Sequence, residues 1–79
     1  MAESPLLNPS DGGRGAVDQW SELGFLLLAQ GDGAGAEKAF RQAIRTGSPV
    51  GWTGLGDVCT TRGEHDDARE MYRRAAGTA

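Results

Sequence analysis

Apolar residues along this chain recur at intervals of three and four, the spacing of one helix face, and nowhere do they alternate as in a strand. From Ala16 to Gln30 they fall at Trp20, Leu23, Leu26 and Leu27, predicting a first helix over 16–30. Gly31 can take the left-handed conformation that closes a helix, and the Asp32 carboxylate can cap the next one. The second stretch, Ala34 to Arg45, sets Ala36, Ala39, Phe40, Ala43 and Ile44 on one stripe, with Glu37, Lys38, Arg41, Gln42 and Arg45 outside it. Thr46-Gly47-Ser48-Pro49 then ends that helix and starts another, with Gly47 as the stop, Ser48 as N-cap and Pro49 as the first helical residue. A third helix is predicted over 49–62, carrying Trp52, Leu55, Val58 and Cys59. Its interior glycines, Gly51 and Gly54, each cost about 1 kcal/mol of helix propensity, so packing must hold it helical. After Gly63 a fourth helix runs over 66–76, with Asp66 and Asp67 in its first turn and Arg73 and Arg74 in its last, as the helix dipole favours. The pattern is all-α.

The helices come in two similar pairs. Trp20, Leu23, Gly24, Gly31, Ala36, Phe40 and Ala43 reappear thirty-two residues later as Trp52, Leu55, Gly56, Gly63, Ala68, Tyr72 and Ala75. Aligning 20–46 on 52–78 gives eight identities in twenty-seven positions, and they fall on residues that set packing and turns. A helical pair of this size cannot bury its apolar face alone. Such units stack, and they work by offering the stacked surface to something else.

With 79 residues the chain makes one domain, near the size at which a core contributes only about 3–5 kcal/mol. A net charge of −3 lacks the basic stripe that nucleic acid requires, so nucleic acid is not an expected partner. Cys59 is the sole cysteine and His65 the sole histidine, which gives no internal disulfide and no metal ligand set; neither metal nor cofactor is expected. The longest apolar run, Phe25 to Ala29, is far short of the ~20 residues of a membrane span, and the opening stretch has no secretion-signal core. These features favour a cytoplasmic setting. Residues 1–15, rich in Pro, Gly and Ser with Leu6-Leu7 as their one apolar point, read as a flexible arm before a helical domain over 16–79.

The helical pairs resemble the tetratricopeptide repeat, a thirty-four-residue helical hairpin with Trp, Leu-Gly, a bulky apolar residue, then Ala, an aromatic and Ala. Trp20, Leu23, Gly24, Leu27, Ala36, Phe40 and Ala43 fit the pattern in the first copy, and Trp52, Leu55, Gly56, Cys59, Ala68, Tyr72 and Ala75 in the second. The resemblance implies a short solenoid of two repeats, about 17–48 and 49–79, with a period shortened to thirty-two. Gly24 and Gly56, with Ala36 and Ala68, would admit close helix approach, and the aromatics Trp20/Phe40 and Trp52/Tyr72 would fill the space beside them.

In such repeats the first helix of each pair lines a concave groove. The resemblance therefore points to Ser21, Phe25 and Leu28 in the first copy and Thr53, Asp57 and Thr60 in the second as partner-binding residues. The first set is apolar and the second polar, suiting a peptide with an apolar anchor and a polar or cationic tail. The Lys, Arg and Asn residues that clamp a C-terminal carboxylate in some family members are replaced here, so that ligand is not expected. The resemblance also implies that the last helix, with Met71, Tyr72 and Ala75, needs cover, through self-association or another protein. A non-catalytic adaptor, regulatory or oligomerisation module is the function implied. The alternative is a helical accessory domain that holds an apolar small molecule for an enzyme system beside Trp20 and Phe25. Catalysis has no support: there is no triad, and Gly-Asp-Gly-Ala-Gly at 31–35 lacks the Lys and strand of a phosphate cradle. His65 reads as a solvated turn residue, Cys59 as a small buried hydrophobe, and Arg69, Arg73 and Arg74 as a solvated face offset by Asp66, Asp67 and Glu70.

Overall fold

The computed structural model describes residues 18–77; the arm over 1–15 and the proposed helix start at Ala16 lie outside them. Four helices follow one another: α1 (Gln19–Ala29), α2 (Gly33–Arg45), α3 (Val50–Thr61) and α4 (His65–Ala76). Each packs on the next in the chain, and α1 also touches α3, the arrangement of two stacked helical hairpins.

Local chemistry explains the boundaries. α1 starts at Gln19 because Asp18 is its N-cap: the Asp18 carboxylate accepts the Ser21 N–H at 2.9 Å and the Ser21 hydroxyl at 2.8 Å. Burial opposes ionisation of this carboxyl, but hydrogen bonding from Ser48 and Ser21 outweighs it and holds Asp18 below its ordinary value. Asp32 caps α2 in the same way, accepting the Gly35 N–H at 2.9 Å. Before α3 the Ser48 hydroxyl accepts the Val50 N–H at 3.3 Å, while Pro49 has helical dihedrals but stands at the N-cap, so α3 begins at Val50, one residue later than expected. α4 begins at His65, one residue earlier than expected, with no side-chain cap.

The three turns are alike. Gly31, Gly47 and Gly63 have φ of 85°, 92° and 77°, a region closed to most side chains. In each turn the glycine N–H donates to the carbonyl three residues back and the following N–H to the carbonyl five back. The pairs are Gly31 to Leu28 with Asp32 to Leu27, Gly47 to Ile44 with Ser48 to Ala43, and Gly63 to Thr60 with Glu64 to Cys59, all at 2.9 or 3.0 Å.

The core is small and centred on α2. Ala36, Phe40, Leu55 and Val58 form its buried cluster, against which Phe25, Leu27, Leu28, Ile44, Trp52 and Met71 pack. Phe40 lies on Gly24, where a Cβ would stand 2.5 Å from its ring, and Tyr72 lies on Gly56 at the same 2.5 Å, so each hairpin closes by the same ring-on-glycine contact. Trp20 departs from the expected filling role: the Phe40 ring lies nearest to Gly24, and Trp20 stays 43% exposed.

The glycines of α3 explain how the two hairpins join. A Cβ on Gly54 would enter the Phe40 ring, and one on Gly51 would meet the Phe40 carbonyl oxygen at 2.6 Å and the Ile44 side chain at 2.7 Å. These residues weaken α3 in isolation and let α2 approach it in the fold.

Candidate functional site

A groove with apolar character, about 720 Å³ in volume, runs along the outward side of α2. Trp20 and Leu23 of α1 form one bank; Trp52 and Leu55 of α3 with Met71 of α4 form the other. Between them α2 contributes Ala39 and the cations Lys38, Arg41 and Arg45, and no Asp or Glu lines the groove.

The charges are placed by simple helix geometry. Lys38, Arg41 and Arg45 follow at three and four residues and therefore share a face of α2. Arg41 is held by Glu37 one turn earlier at 2.7 Å, and Glu37 also reaches Arg62 beyond α3 at 3.1 Å, tying the two hairpins together. Hydrogen bonding from Arg41 is the main reason that the Glu37 carboxyl lies below its ordinary value, with burial opposing it and Arg62 adding to it. Among the described residues no acid lies within ion-pair reach of Lys38 or Arg45. On the far bank the Arg74 guanidinium sits 5.1 Å from the centre of a Trp52 ring, fixing the indole with a cation–π contact.

The residues that the repeat pattern assigned to a concave groove have other surroundings. Ser21 is completely buried and spends both its N–H and its hydroxyl on Asp18. Phe25 meets Phe40 edge to face, with centroids 4.9 Å apart, and Leu28 packs on the same core. Asp57 accepts a hydrogen bond from the Tyr72 hydroxyl at 2.5 Å. Thr60, 3.3 Å from that hydroxyl, donates to the Gly56 carbonyl at 2.9 Å. Thr53 is partly buried on α3. Asp57 and Thr60 are thus brought together around Tyr72, whereas Trp20, which lines the groove, and Phe25, which does not, are kept apart. The exposed apolar residues of α1 are Trp20, Leu23 and, one turn further on, Leu26. Sequence reasoning gave Trp20 a filling role beside Gly24 and counted Leu23 among the pattern residues; helical spacing marks the two as one apolar face without saying whether that face is covered.

Burial raises the Cys59 thiol above its ordinary value, and Glu64 and Asp67 add to this, so the thiol is held in its unreactive form. His65 is exposed at the start of α4. Among the described residues no three metal-ligating side chains gather, and no helix is long and apolar enough to cross a membrane.

Comparison with curated proteins and with solved structures gave no match. The family model of the tetratricopeptide repeat matches residues 22–79, which takes in most of both hairpins. Repeats of this family generally mediate contacts between proteins. With that match across most of its length and two glycine-closed helical hairpins stacked in sequence, the chain belongs to the tetratricopeptide-repeat family.

Proposed function

We propose that this chain is a non-catalytic adaptor or regulatory module that holds a segment of a partner protein along the outward side of α2. One observation carries the reading. Trp20 and Leu23 stay 43% and 41% exposed along a groove whose opposite bank holds their counterparts in the second repeat, Trp52, which is partly buried, and Leu55, which is 7% exposed. Leaving about two-fifths of each large apolar side chain in water forgoes on the order of 1 kcal/mol each, and clustered exposure of that kind marks a binding surface. The polar set of Thr53, Asp57 and Thr60 has less to offer a ligand, because Asp57 and Thr60 are already engaged within the chain.

Selection of random peptides of about twelve residues on the immobilised chain tests this. Peptides should emerge whose affinity falls by about tenfold or more in Leu23→Asp, a variant whose helical circular dichroism stays that of the parent because the site is exposed. Selection that enriches nothing over a blank surface, or peptides indifferent to Leu23→Asp, would count against the groove.

A further inference from the structure

We infer that the groove along α2 is built for an acidic segment of a partner protein, with apolar side chains on its two edges and carboxylates between them. This rests on the proposed binding role and specifies the partner's chemistry. The chain as a whole is acidic, with eleven carboxylate residues against eight Lys and Arg. The groove reverses that balance, with Lys38, Arg41 and Arg45 in its lining and no carboxylate. Its apolar banks, Trp20 with Leu23 and Trp52 with Leu55 and Met71, stand on either side of α2. A segment lying over α2 would therefore place apolar groups on both banks while its middle faced the three cations. Lys38 and Arg45 would gain most from such a segment, since Arg41 is already neutralised by Glu37.

A second copy of the chain is a poorer occupant. Inside the molecule one hairpin joins the next because Gly51 and Gly54 let α2 approach α3. The residues at the same repeat positions on α1 are Gln19 and Glu22, so another copy's last helix cannot seat on α1 as α2 seats on α3. Nucleic acid would satisfy the cations and leave both apolar banks unused.

The test uses the full chain and two synthetic peptides of about twelve residues, identical in leucines set at helical spacing, with glutamate at every other position in one and lysine in the second. Both tryptophans of the chain line the groove, so their emission reports occupancy directly. The glutamate peptide should bind at least about tenfold more tightly than the lysine peptide, and more weakly as salt is raised. The double variant Lys38→Glu/Arg45→Glu changes two exposed side chains and should invert the preference. Equal binding of both peptides, a preference for lysine, or an unchanged preference in the double variant overturns the inference while peptide selection can still uphold the binding role. A chain that sediments as a dimer and dissociates on adding peptide assigns the groove to a second copy and overturns it too. So does a Leu6→Ser/Leu7→Ser chain that gains about tenfold in affinity for the glutamate peptide, which assigns the groove to the chain's own opening segment.

Discussion

The two repeats place different chemistry at matching positions, and the contrast follows what lies beside each. Phe40 is wholly buried between Gly24 and Gly54, and Phe25 meets it edge-on. In the second repeat those two positions hold Tyr72 and Asp57, the ring is 38% exposed, and the edge-on contact is replaced by a hydrogen bond from phenol to carboxylate. Leu28 likewise becomes Thr60. The end of the stack formed by α3 and α4 is thus furnished with hydroxyls and a carboxylate, which water tolerates. At the other end the order reverses. Leu55 and Val58 are 7% and 1% exposed beneath α2, while their counterparts Leu23 and Leu26 are 41% and 56% exposed. The difference teaches where the larger exposed apolar surface lies: it is on α1, whereas the sequence-based expectation of a surface needing cover was placed on the last helix.

The sharpest way to break the comparison is to remove both rings. Phe40→Ala should cost about 3–5 kcal/mol, the whole stability expected of a core this small, and far-UV circular dichroism should show the chain unfolded. Tyr72→Ala, at the same repeat position, should cost about 1–2 kcal/mol and leave a cooperative urea transition. Equal losses would mean that the two ends are not built differently.

A smaller effect separates propensity from packing. By helix propensity alone Gly54→Ala should stabilise by up to about 1 kcal/mol. Its methyl would enter the Phe40 ring, and overpacking at about 1–3 kcal/mol makes net destabilisation the expected result. Glu22→Ala, the matching change on α1, should stay within about 0.5 kcal/mol. A stabilised Gly54→Ala chain, measured by denaturant melting, would undo the account of the α2–α3 junction.

The smallest effect lies at the polar end. Hydrogen bonding to Asp57 raises the Tyr72 phenol above its ordinary value, with burial adding to this and Thr60 opposing it. The folded chain therefore holds this proton more tightly than the unfolded one. That contribution to stability is whole below the ordinary tyrosine value and is lost as pH rises through the raised one. Tyr72 is the only tyrosine, so its titration is read directly from tyrosinate absorbance; Asp57→Ala should move the midpoint down toward the ordinary value. The lowered carboxyls of Asp18 and Glu37 act at the other extreme: their contribution is whole above the ordinary carboxylate value and is lost as pH falls through the lowered one.

What the sequence made legible was local. A glycine specifies a helix stop from within five or six residues at all three turns, and the side chains of Asp32 and Ser48, which follow two of them, bond the next helix's start, which that of Glu64 does not. The ring-on-glycine closure was legible as well, because it repeats within one hairpin. Burial set by a neighbouring unit was not. Trp20 and Trp52 occupy the same position in the pattern and line the same groove, and only the stack reveals that Trp52 is held under an arginine and partly buried while Trp20 stays exposed. Ser21 differs for a related reason: the resemblance to the repeat pointed it toward a ligand, and the adjacent cap engages both its N–H and its hydroxyl. Gly51 and Gly54 read as defects of α3 until their partner across the junction is known.

The spacing of the glycine turns has a consequence for how the chain comes apart. Gly31, Gly47 and Gly63 stand at equal intervals of sixteen, so the same left-handed glycine closes each of the first three helices, between the hairpins as within them. A strip creased at regular steps has no weaker fold along which to tear. The molecule is better pictured as one continuous zigzag than as two beads on a string, and pulling or heating should open it from its tips rather than split it down the middle.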